Sequence, residues 1–342
     1  MIRMKWTGKI SIPDYDKSGF PEDELYYTLF RVPDSSVGSV PITDSKSSKY
    51  VVTIPSKGRP DTLAKLMNKM PFLNNPSTLI GVEYGEIGIY SQFIEDHPSV
   101  SVVYYYNNRH HSGWMREILR QVTYKYFSPI DYLVMADDNA YYDEQSLKNL
   151  IYYSAIHPTK VIMSGAHKMS RQHFYKKICD AAAAKGEHSV RKYGGILIAF
   201  PTEFYRDNYS QDPYLPAWPA NHAAIAAILH GYELRMCIDC IFTKTRHQAG
   251  GVGNNTQREL KAAWTQSRLS ATFGKMLGKY KSRGKKAVPK PWAKMMDNYM
   301  GKVSQIFPET INLWNPNPKF GIDDDNDNDT KTSHAIAMQT VS

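Results

Sequence analysis

The chain has few cysteines and no long apolar run. Only three of its 342 residues are cysteine, namely Cys179, Cys237 and Cys240. An odd number of thiols in so long a chain argues against the disulfide framework of secreted proteins and favours a reducing compartment. A chain of this length can also bury a large core without cross-links. We therefore expect a fold that needs no disulfide.

No segment is typical of secretion or of membrane insertion. The first residues, Met1 to Gly8, contain neither an apolar signal core nor a cleavage site. No later stretch approaches the about 18 uninterrupted apolar residues of a membrane-spanning helix. We expect a soluble, cytoplasmic protein without a membrane partner. The sequence also contains no internal repeat.

Two short motifs point to metal or redox chemistry, but their context argues against both. Cys237 and Cys240 form a C-x-x-C within an apolar run, where strand alternation predicts that the two side chains lie on opposite faces. The acidic run that begins at Asp323 resembles a calcium loop. Its sixth and twelfth positions are Asn328 and His334, where that loop needs Gly and Glu. We expect no zinc, redox or calcium centre at these motifs.

Positive charge is in excess and is concentrated towards the C-terminus. The formal net charge is +9 and the pI is about 9.1. Within residues 275–302, nine lysines and arginines alternate with methionines and with Tyr280, Trp292 and Tyr299. Such a stripe suits a polyanion such as DNA, because aromatic rings can stack on bases. The alternative is a solvated basic helix or a contact with the phosphates of a nucleotide.

From Tyr50 onward, short apolar runs alternate with helical segments. The first four runs are predicted as strands at residues 50–55, 78–82, 100–106 and 132–135. Later runs at 160–165, 194–200 and 234–243 are predicted to join the same sheet. The alternation predicts βαβ units, and thus an α/β fold with three layers and a mainly parallel central sheet. Ligands of such sheets bind outside the carboxyl ends of the strands.

The segments around this α/β region differ from it in composition. Residues 1–49 are rich in Pro, Asp and Ser and are predicted to form an irregular N-terminal arm. The α/β domain covers 50–250, and a basic helical region follows over 251–320. The acidic segment 321–342 is predicted to be disordered.

The fourth predicted strand ends in a turn that contains Asp137, Asp138 and Asn139. Two adjacent carboxylates at the end of a buried strand are unfavourable unless a cation or hydrogen-bond donors compensate them. Mg²⁺ or Mn²⁺ can do so, since these ions bind carboxylate and amide oxygens together with substrate phosphates. The three residues are therefore candidate metal ligands. The alternative is an Asx turn, with Asp143 capping the next helix.

Cationic segments follow the first and third predicted strands. The first strand leads into a Ser56-Lys57-Gly58-Arg59 loop at the start of a helix, a position that suits a ribose or a diphosphate. The segment after the third strand contains Arg109 and Arg116. Ordinary solvated loops are the alternative. Because parallel strands end at the same edge of the sheet, we expect both segments beside the acidic turn. The candidate nucleotide-binding residues are Pro55, Ser56, Lys57, Arg59, Arg109, Arg116 and Asp137.

Together these segments resemble the nucleotide-binding half of GT-A glycosyltransferases. The resemblance covers residues 50–250 and rests on the runs 51–60, 109–116 and 133–139. It implies a nucleotide-sugar half over 50–143 and an acceptor half over 144–250. It also implies transfer of a sugar from a nucleotide diphosphate sugar, in particular a UDP-sugar, to a hydroxyl, with Mn²⁺ or Mg²⁺ on the diphosphate. A later histidine often completes the metal site of the family, and His247 resembles it.

Within that family the sequence is most similar to the TET-associated glycosyltransferases of phages, which glycosylate hydroxymethylated pyrimidines in DNA. The likeness rests on the I-P-S-K-G-R-P run, the D-D-N turn and the basic, aromatic segment 275–302. It implies a 5-hydroxymethylpyrimidine acceptor, such as 5-hydroxymethylcytosine, and DNA binding through 275–302 in an infected bacterial host. The alternatives are a GT-A enzyme with a polysaccharide, lipid or protein acceptor and a non-catalytic nucleic-acid-binding protein.

The sequence departs from the family at the catalytic base. Many inverting members carry a Glu-Asp pair where this chain has the run 217–224, which contains no carboxylate. Inversion needs a base within reach of the acceptor hydroxyl. His222 lies in that run, and Asp212 lies upstream of it. Both are candidate bases, and helix capping or a structural hydrogen bond is the alternative for each. A retaining mechanism, assisted by the leaving diphosphate, also stays open.

Overall fold

The protein is described here from a computed structural model. It describes residues 8–9, 26–31, 37–83, 87–105, 112–127, 129–167, 187–189, 197–207, 209, 223, 226–227 and 230–244. All of them belong to the first of two units into which the chain divides, Met1–Asn254. The predicted basic region 251–320 and the predicted tail 321–342 lie outside the described residues.

The secondary structure follows the predicted alternation from Tyr50 onward. The strands are β1 (Gly8–Lys9), β2 (Tyr26–Arg31), β3 (Gly38–Thr43), β4 (Lys46–Ser56), β5 (Thr78–Glu83), β6 (Ser101–Tyr105), β7 (Tyr132–Ala136), β8 (Ala140–Tyr141), β9 (Val161–His167), β10 (Glu187–Ser189), β11 (Leu197–Pro201) and β12 (Glu233–Lys244). The helices are α1 (Pro60–Lys69), α2 (Ile87–Asp96), α3 (Ser112–Tyr126), α4 (Glu144–Ile156) and α5 (Thr202–Tyr205), and a 3₁₀ turn covers Pro71–Leu73. Within the described ranges, no helix is long and apolar enough to cross a bilayer.

The sheet has a parallel centre with mixed flanks. Its strand order is β1-β2-β6-β5-β4-β7-β11-β9-β12-β10. Strands β6, β5, β4 and β7 run parallel to one another. On the flanks, β2 runs antiparallel to β6, and β11 runs antiparallel to both β7 and β9. The prediction of a mainly parallel central sheet is confirmed for these four strands. The chain steps from β4 out to β6 and returns on the other side of β4 as β7, so β4 and β7 flank the topological switch point, where such folds bind ligands.

Helices cover both faces of the sheet, as the three-layer prediction requires. Leu66 of α1 and Leu150 of α4 belong to one buried cluster with Ile80 of β5. The adjacent residue, Gly81, points to the opposite face, where a Cβ would lie 3.0 Å from Leu119 of α3. Because β5 is buried along its whole length, it packs against helices on both sides. This arrangement leaves the strand ends as the accessible edge of the layer.

The prediction of an irregular N-terminal arm is wrong for its described residues. Strand β2 pairs with β6, and β3 forms a hairpin with β4 in which Thr43 faces Lys46. The polar run 43–49 is thus a tight turn and the start of a central strand. Strand β3 could not be predicted because only its Val40 is buried, so the sequence lacks the apolar alternation that indicates a strand.

The predicted placement of the C-x-x-C cysteines is also wrong. Cys237 and Cys240 both lie in the buried cluster on the α1 and α4 face of the sheet. The ladder between β9 and β12 shifts register between Cys237 and Ile241, so the extra residues turn the second thiol to the same face as the first. Neither of these two cysteines forms a disulfide bond.

Candidate functional site

The end of β4 and the end of β7 meet at the switch point. Val52 lies opposite Val134 and Thr53 opposite Met135 in the parallel ladder. The Thr53 hydroxyl also donates to the Val134 carbonyl oxygen at 3.2 Å. This register sets the loop after β4 beside the acidic turn after β7. The two segments that the sequence singled out are therefore in contact.

Asp138 is the buried carboxylate of the turn, with 1% of its side chain exposed. Its Oδ1 accepts a hydrogen bond from Arg59 Nη2 at 2.7 Å, and its Oδ2 accepts one from Ser56 Oγ at 3.1 Å. Burial raises the pKa of Asp138 to about 6, although Arg59 and Ser56 oppose this shift by stabilising the ionised form. The loop after β4 thus holds this carboxylate in place.

Asp137 is the accessible carboxylate, with 27% of its side chain exposed. Arg116 Nη2 of α3 donates to its Oδ1 at 2.7 Å, and Lys244 Nζ at the end of β12 donates to its Oδ2 at 3.3 Å. Burial lowers the pKa of Arg116, and the negative charge of Asp137 opposes this shift. The acidic turn is therefore surrounded by cations from three elements, because Arg59, Arg116 and Lys244 all reach it.

The backbone of the acidic segment forms a turn through a main-chain hydrogen bond, and of the alternative interpretation the cap at Asp143 is confirmed. Ala140 N donates to the Asp137 carbonyl oxygen at 3.2 Å, and Asn139 is buried. Asp143 caps α4, since its Oδ1 accepts from Ser146 N at 2.6 Å. The turn uses main-chain groups, whereas both aspartate carboxylates are bound by cations. The turn and a ligand-binding role are thus compatible.

The loop after β4 is itself tightly held. Gly58 has a φ of 61°, a left-handed conformation that favours glycine. Lys57 forms an ion pair with Glu83 at the end of β5, and each side chain is only 10% exposed. Arg59 caps α1 through its carbonyl oxygen, which accepts from Thr62 N at 3.1 Å. Pro55 lies within β4, opposite Gly81, so it borders the loop.

The donor set fits a hard divalent cation such as Mg²⁺ or Mn²⁺. Asp137, Asp138 and Asn139 offer carboxylate and amide oxygens, which these ions prefer, and substrate phosphates commonly supply the remaining ligands. In the part of the chain that the structure describes, no group of three or more His, Cys, Asp or Glu side chains is placed to hold a metal. A metal at this turn would thus depend on few protein ligands. His247, the predicted further ligand, lies outside the described residues.

Several other predicted site residues also lie outside the described residues. They are Arg109, Asp212 and His222. The structure brings together Ser56, Arg59, Arg116, Asp137 and Asp138, and it places Pro55 and Lys57 beside them.

Three residues at the site were not among those predicted from the sequence. Glu83 and Lys244 each end a strand, so the rule that singled out the acidic turn, a charged residue at the end of a buried strand, could have found both. Tyr90 donates or accepts hydrogen bonds at the β4 loop from α2. Its position in a helix favours a simple core role, and no sequence signal distinguishes it.

Comparisons with known proteins give distant structural likenesses. No protein-family model matches the sequence, and no curated protein matches it. A mannosyltransferase from Pyrobaculum calidifontis, solved with GDP-mannose and Mn²⁺, is similar at a TM-score of 0.47 and 14% identity over 84% of this chain and 77% of that one. GalNAc-T7, solved with UDP, GalNAc and Mn²⁺, is similar at a TM-score of 0.49 and 13% identity.

The second likeness covers 78% of this chain but only 59% of GalNAc-T7. A mycobacterial protein is similar at a TM-score of 0.42 and 10% identity, over 65% of this chain and 75% of that one. All three scores lie below 0.5. These similarities assign no family, and the function must be inferred from the residues of the site.

Proposed function

We propose that this chain is a metal-dependent glycosyltransferase of the GT-A type that transfers a sugar from a nucleotide diphosphate sugar to a hydroxyl. The observation that carries the proposal is the contact of Ser56 and Arg59 with Asp138 across the switch point. This contact joins a cationic loop at a helix start to a carboxylate turn, and both flank the crevice in which an α/β sheet binds its ligand. The sequence resemblance to GT-A enzymes rests on these two segments together with the run 109–116.

The charges at the site suit a diphosphate. Arg59, Arg116 and Lys244 contact two carboxylates, Asp137 and Asp138, so this group of five side chains has one positive charge in excess. Arginine donors and a helix N-terminus both favour a phosphate oxygen. Lys57 is paired with Glu83 at the edge of this group and would help to shape the nucleotide pocket. We assign Arg59 and Arg116 to donor binding, together with Arg109 from the predicted loop.

Asp137, Asp138 and Asn139 would hold Mn²⁺ or Mg²⁺, with His247 as a further ligand. The ion would neutralise negative charge on the leaving diphosphate. Asp137 is the more accessible carboxylate, so it would face the ion and the substrate. Asp138 is buried, and its bonds to the β4 loop would set the orientation of the turn.

Transfer requires that the acceptor oxygen attack the anomeric carbon while the bond from that carbon to the diphosphate breaks. In an inverting reaction the acceptor proton passes to a base, and Asp212 and His222 are the candidates. In a retaining reaction the diphosphate assists, and neither residue is required as the base. Both outcomes are consistent with the donor half that we propose.

For the acceptor we propose the hydroxymethyl group of a 5-hydroxymethylpyrimidine in DNA. The support is the likeness to the phage enzymes and the basic, aromatic stretch 275–302, which suits a phosphate backbone and stacked bases. A polysaccharide, lipid or protein acceptor is the competing assignment. It predicts the same donor site without salt-sensitive DNA binding.

The test is incubation with a panel of UDP-sugars, Mn²⁺ and DNA with or without 5-hydroxymethylpyrimidines, followed by mass analysis of the released nucleosides. We expect the mass of one hexose or pentose on the hydroxymethylated nucleoside alone. If no donor added mass to the nucleoside while a UDP-sugar was still hydrolysed, the DNA acceptor would be rejected. The proposed glycosyltransferase activity would then still stand.

A separate variant tests the proposed donor site at the acidic turn. Asp138→Asn keeps the shape of the side chain but removes the negative charge, so we expect loss of UDP-sugar turnover in a folded protein. Asp207→Asn is the matched control, because Asp207 is an exposed carboxylate that pairs with the neighbouring Arg206. Full turnover by Asp138→Asn would reject the proposed role of the acidic turn.

A further inference from the structure

A buried tyrosine hydroxyl lies behind the carboxylate turn. Tyr90 of α2 has 0% exposure, and its hydroxyl lies 2.8 Å from Ser56 Oγ. The same hydroxyl accepts a hydrogen bond from Arg59 N at 3.0 Å. Ser56 and Arg59 both donate to Asp138 through their side chains. One side chain from a neighbouring helix therefore contacts both supports of the buried carboxylate.

The direction of each hydrogen bond follows from its neighbours. An ionised carboxylate only accepts, so Ser56 Oγ donates its one proton to Asp138 Oδ2. Ser56 Oγ must then accept at its contact with Tyr90, so the tyrosine hydroxyl is the donor there. That hydroxyl in turn accepts from Arg59 N. The bonds form one ordered chain from the backbone of the β4 loop through Tyr90 and Ser56 to Asp138.

We propose that Tyr90 is a positioning residue, which acts through Ser56 to orient Asp138 for the metal and the diphosphate. The inference rests on the proposed function. Groups that hydrogen-bond a ligating carboxylate fix its orientation, and their removal commonly weakens metal affinity or activity by about 10- to 100-fold. Without the Tyr90 proton, the Ser56 hydroxyl loses the partner that holds it towards Asp138. The backbone N–H of Arg59 loses its hydrogen bond to Tyr90 at the same time.

Tyr90→Phe removes the hydroxyl and keeps the ring. We expect Mn²⁺ affinity in the presence of UDP, followed by the electron paramagnetic resonance signal of free Mn²⁺, to fall about 10-fold. We also expect kcat for UDP-sugar hydrolysis to fall. Tyr142→Phe is the matched control, because the Tyr142 hydroxyl is buried and has no hydrogen-bond partner among the described residues. A merely structural role for Tyr90 predicts a lower melting temperature with unchanged Mn²⁺ affinity and kcat, and that result would overturn the inference.

A double-variant cycle tests the route through Ser56. We expect Tyr90→Phe to lower Mn²⁺ affinity and kcat much less in a Ser56→Ala background than in the wild type. The hydrogen bonds from Tyr90 through Ser56 to Asp138 are already broken in that background. If the fold-losses of Tyr90→Phe and Ser56→Ala multiplied in full in the double variant, Tyr90 would not act through Ser56, and the inference would fail.

Failure of the proposed function gives a different result. If the wild type turned over no UDP-sugar, the proposed UDP-sugar-dependent glycosyltransferase activity would be rejected. The Mn²⁺ affinities of wild type, Tyr90→Phe and Ser56→Ala would still decide whether Tyr90 positions Asp138. If the wild type is active and Tyr90→Phe matches it in both kcat and Mn²⁺ affinity, only the positioning role is rejected.

Discussion

Arg116 binds Asp137 and the end of strand β7 with a single guanidinium group. Its Nη2 donates to Asp137 Oδ1 at 2.7 Å, and its Nη1 donates to the Ala136 carbonyl oxygen at 3.1 Å. The side chain is 6% exposed, so these bonds replace the water that the cation loses on burial. The angle at which the acidic turn leaves the sheet is thereby fixed from α3.

Arg116→Lys is expected to lower kcat/KM for a UDP-sugar by about 10- to 100-fold. Lysine keeps the charge but lacks the planar fork that reaches both oxygens, and a hydrogen bond to a charged group contributes about 1.5–3 kcal/mol. Steady-state kinetics at saturating Mn²⁺ measures the change. Arg206→Lys is the control, because the exposed guanidinium of Arg206 donates to the neighbouring Asp207. Equal kcat/KM for the two variants would contradict the role of Arg116.

Much of the fold was predictable from Tyr50 onward because its signals are local. The run 50–56 of β4 and the run 132–136 of β7 are mainly apolar, since almost all of their residues are buried, and each run is followed by a polar turn. From the positions of these strand ends, the loop after β4 could be predicted to lie beside the acidic turn. The hairpin of β3 with β4 was missed because its residues are mostly exposed and carry no apolar period.

The unpredicted parts of the site depend on contacts between residues far apart in the chain. Lys244 reaches Asp137 from 107 residues away, and Tyr90 meets Ser56 from 34 residues away. Single-sequence periodicity contains no information on such pairs. The position of Cys240 depends on a register shift between β9 and β12, which is a property of two strands together and not of either alone.

Lys244→Met is expected to have opposite effects on the two ligands of the site. Lys244 donates to Asp137 Oδ2, the oxygen that a metal would also use, so its removal should raise the affinity for Mn²⁺. The diphosphate loses a cation at the same time, so KM for the UDP-sugar should rise. Both changes should be modest, within about 10-fold, because the pair is partly exposed.

Titration of the Lys244→Met variant with Mn²⁺ and with donor separates the two effects. Lys148→Met is the control, since Lys148 forms an exposed pair with Glu144 on α4. If both affinities moved in the same direction, competition between Lys244 and the metal would be excluded.

Glu117 and Arg120 form a buried ion pair within α3, and removal of one partner should destabilise the protein. Arg120 Nε and Nη2 donate to the two carboxylate oxygens of Glu117 at 2.8 and 2.7 Å, and Arg120 Nη1 donates to the Tyr205 carbonyl oxygen at 2.9 Å. Glu117→Gln leaves a buried cation without its counter-charge. We expect the free energy of unfolding to fall by about 3 kcal/mol.

Urea denaturation followed by circular dichroism measures that loss. Glu144→Gln breaks an exposed pair with Lys148 and should change the free energy of unfolding by less than about 1 kcal/mol. Similar values for the two variants would mean that the buried pair is no stronger than a surface one.

Cys237 and Cys240 should be unreactive in the folded protein despite their C-x-x-C spacing. Burial raises the pKa of the Cys240 thiol well above 9.0, and the neighbouring Cys237 adds to the shift. The thiolate is the reactive form, so the native thiol should not attack a disulfide reagent at pH 8. In a Cys179→Ser variant we expect no reaction with dithionitrobenzoate in buffer and reaction of two thiols in guanidinium chloride.

The same shift predicts how stability depends on pH. Because the folded state holds the Cys240 proton more tightly than the unfolded state, the free energy of unfolding should fall as pH rises above the ordinary value of 9.0. Buried tyrosines act in the same direction at higher pH, so the comparison is with Cys240→Ala between pH 8 and about 9.5, below the ordinary tyrosine value. The wild type should lose stability more steeply than the variant over that range. Equal slopes, or rapid labelling of the native thiols, would show that the cysteines are accessible and would reopen a redox role for the pair.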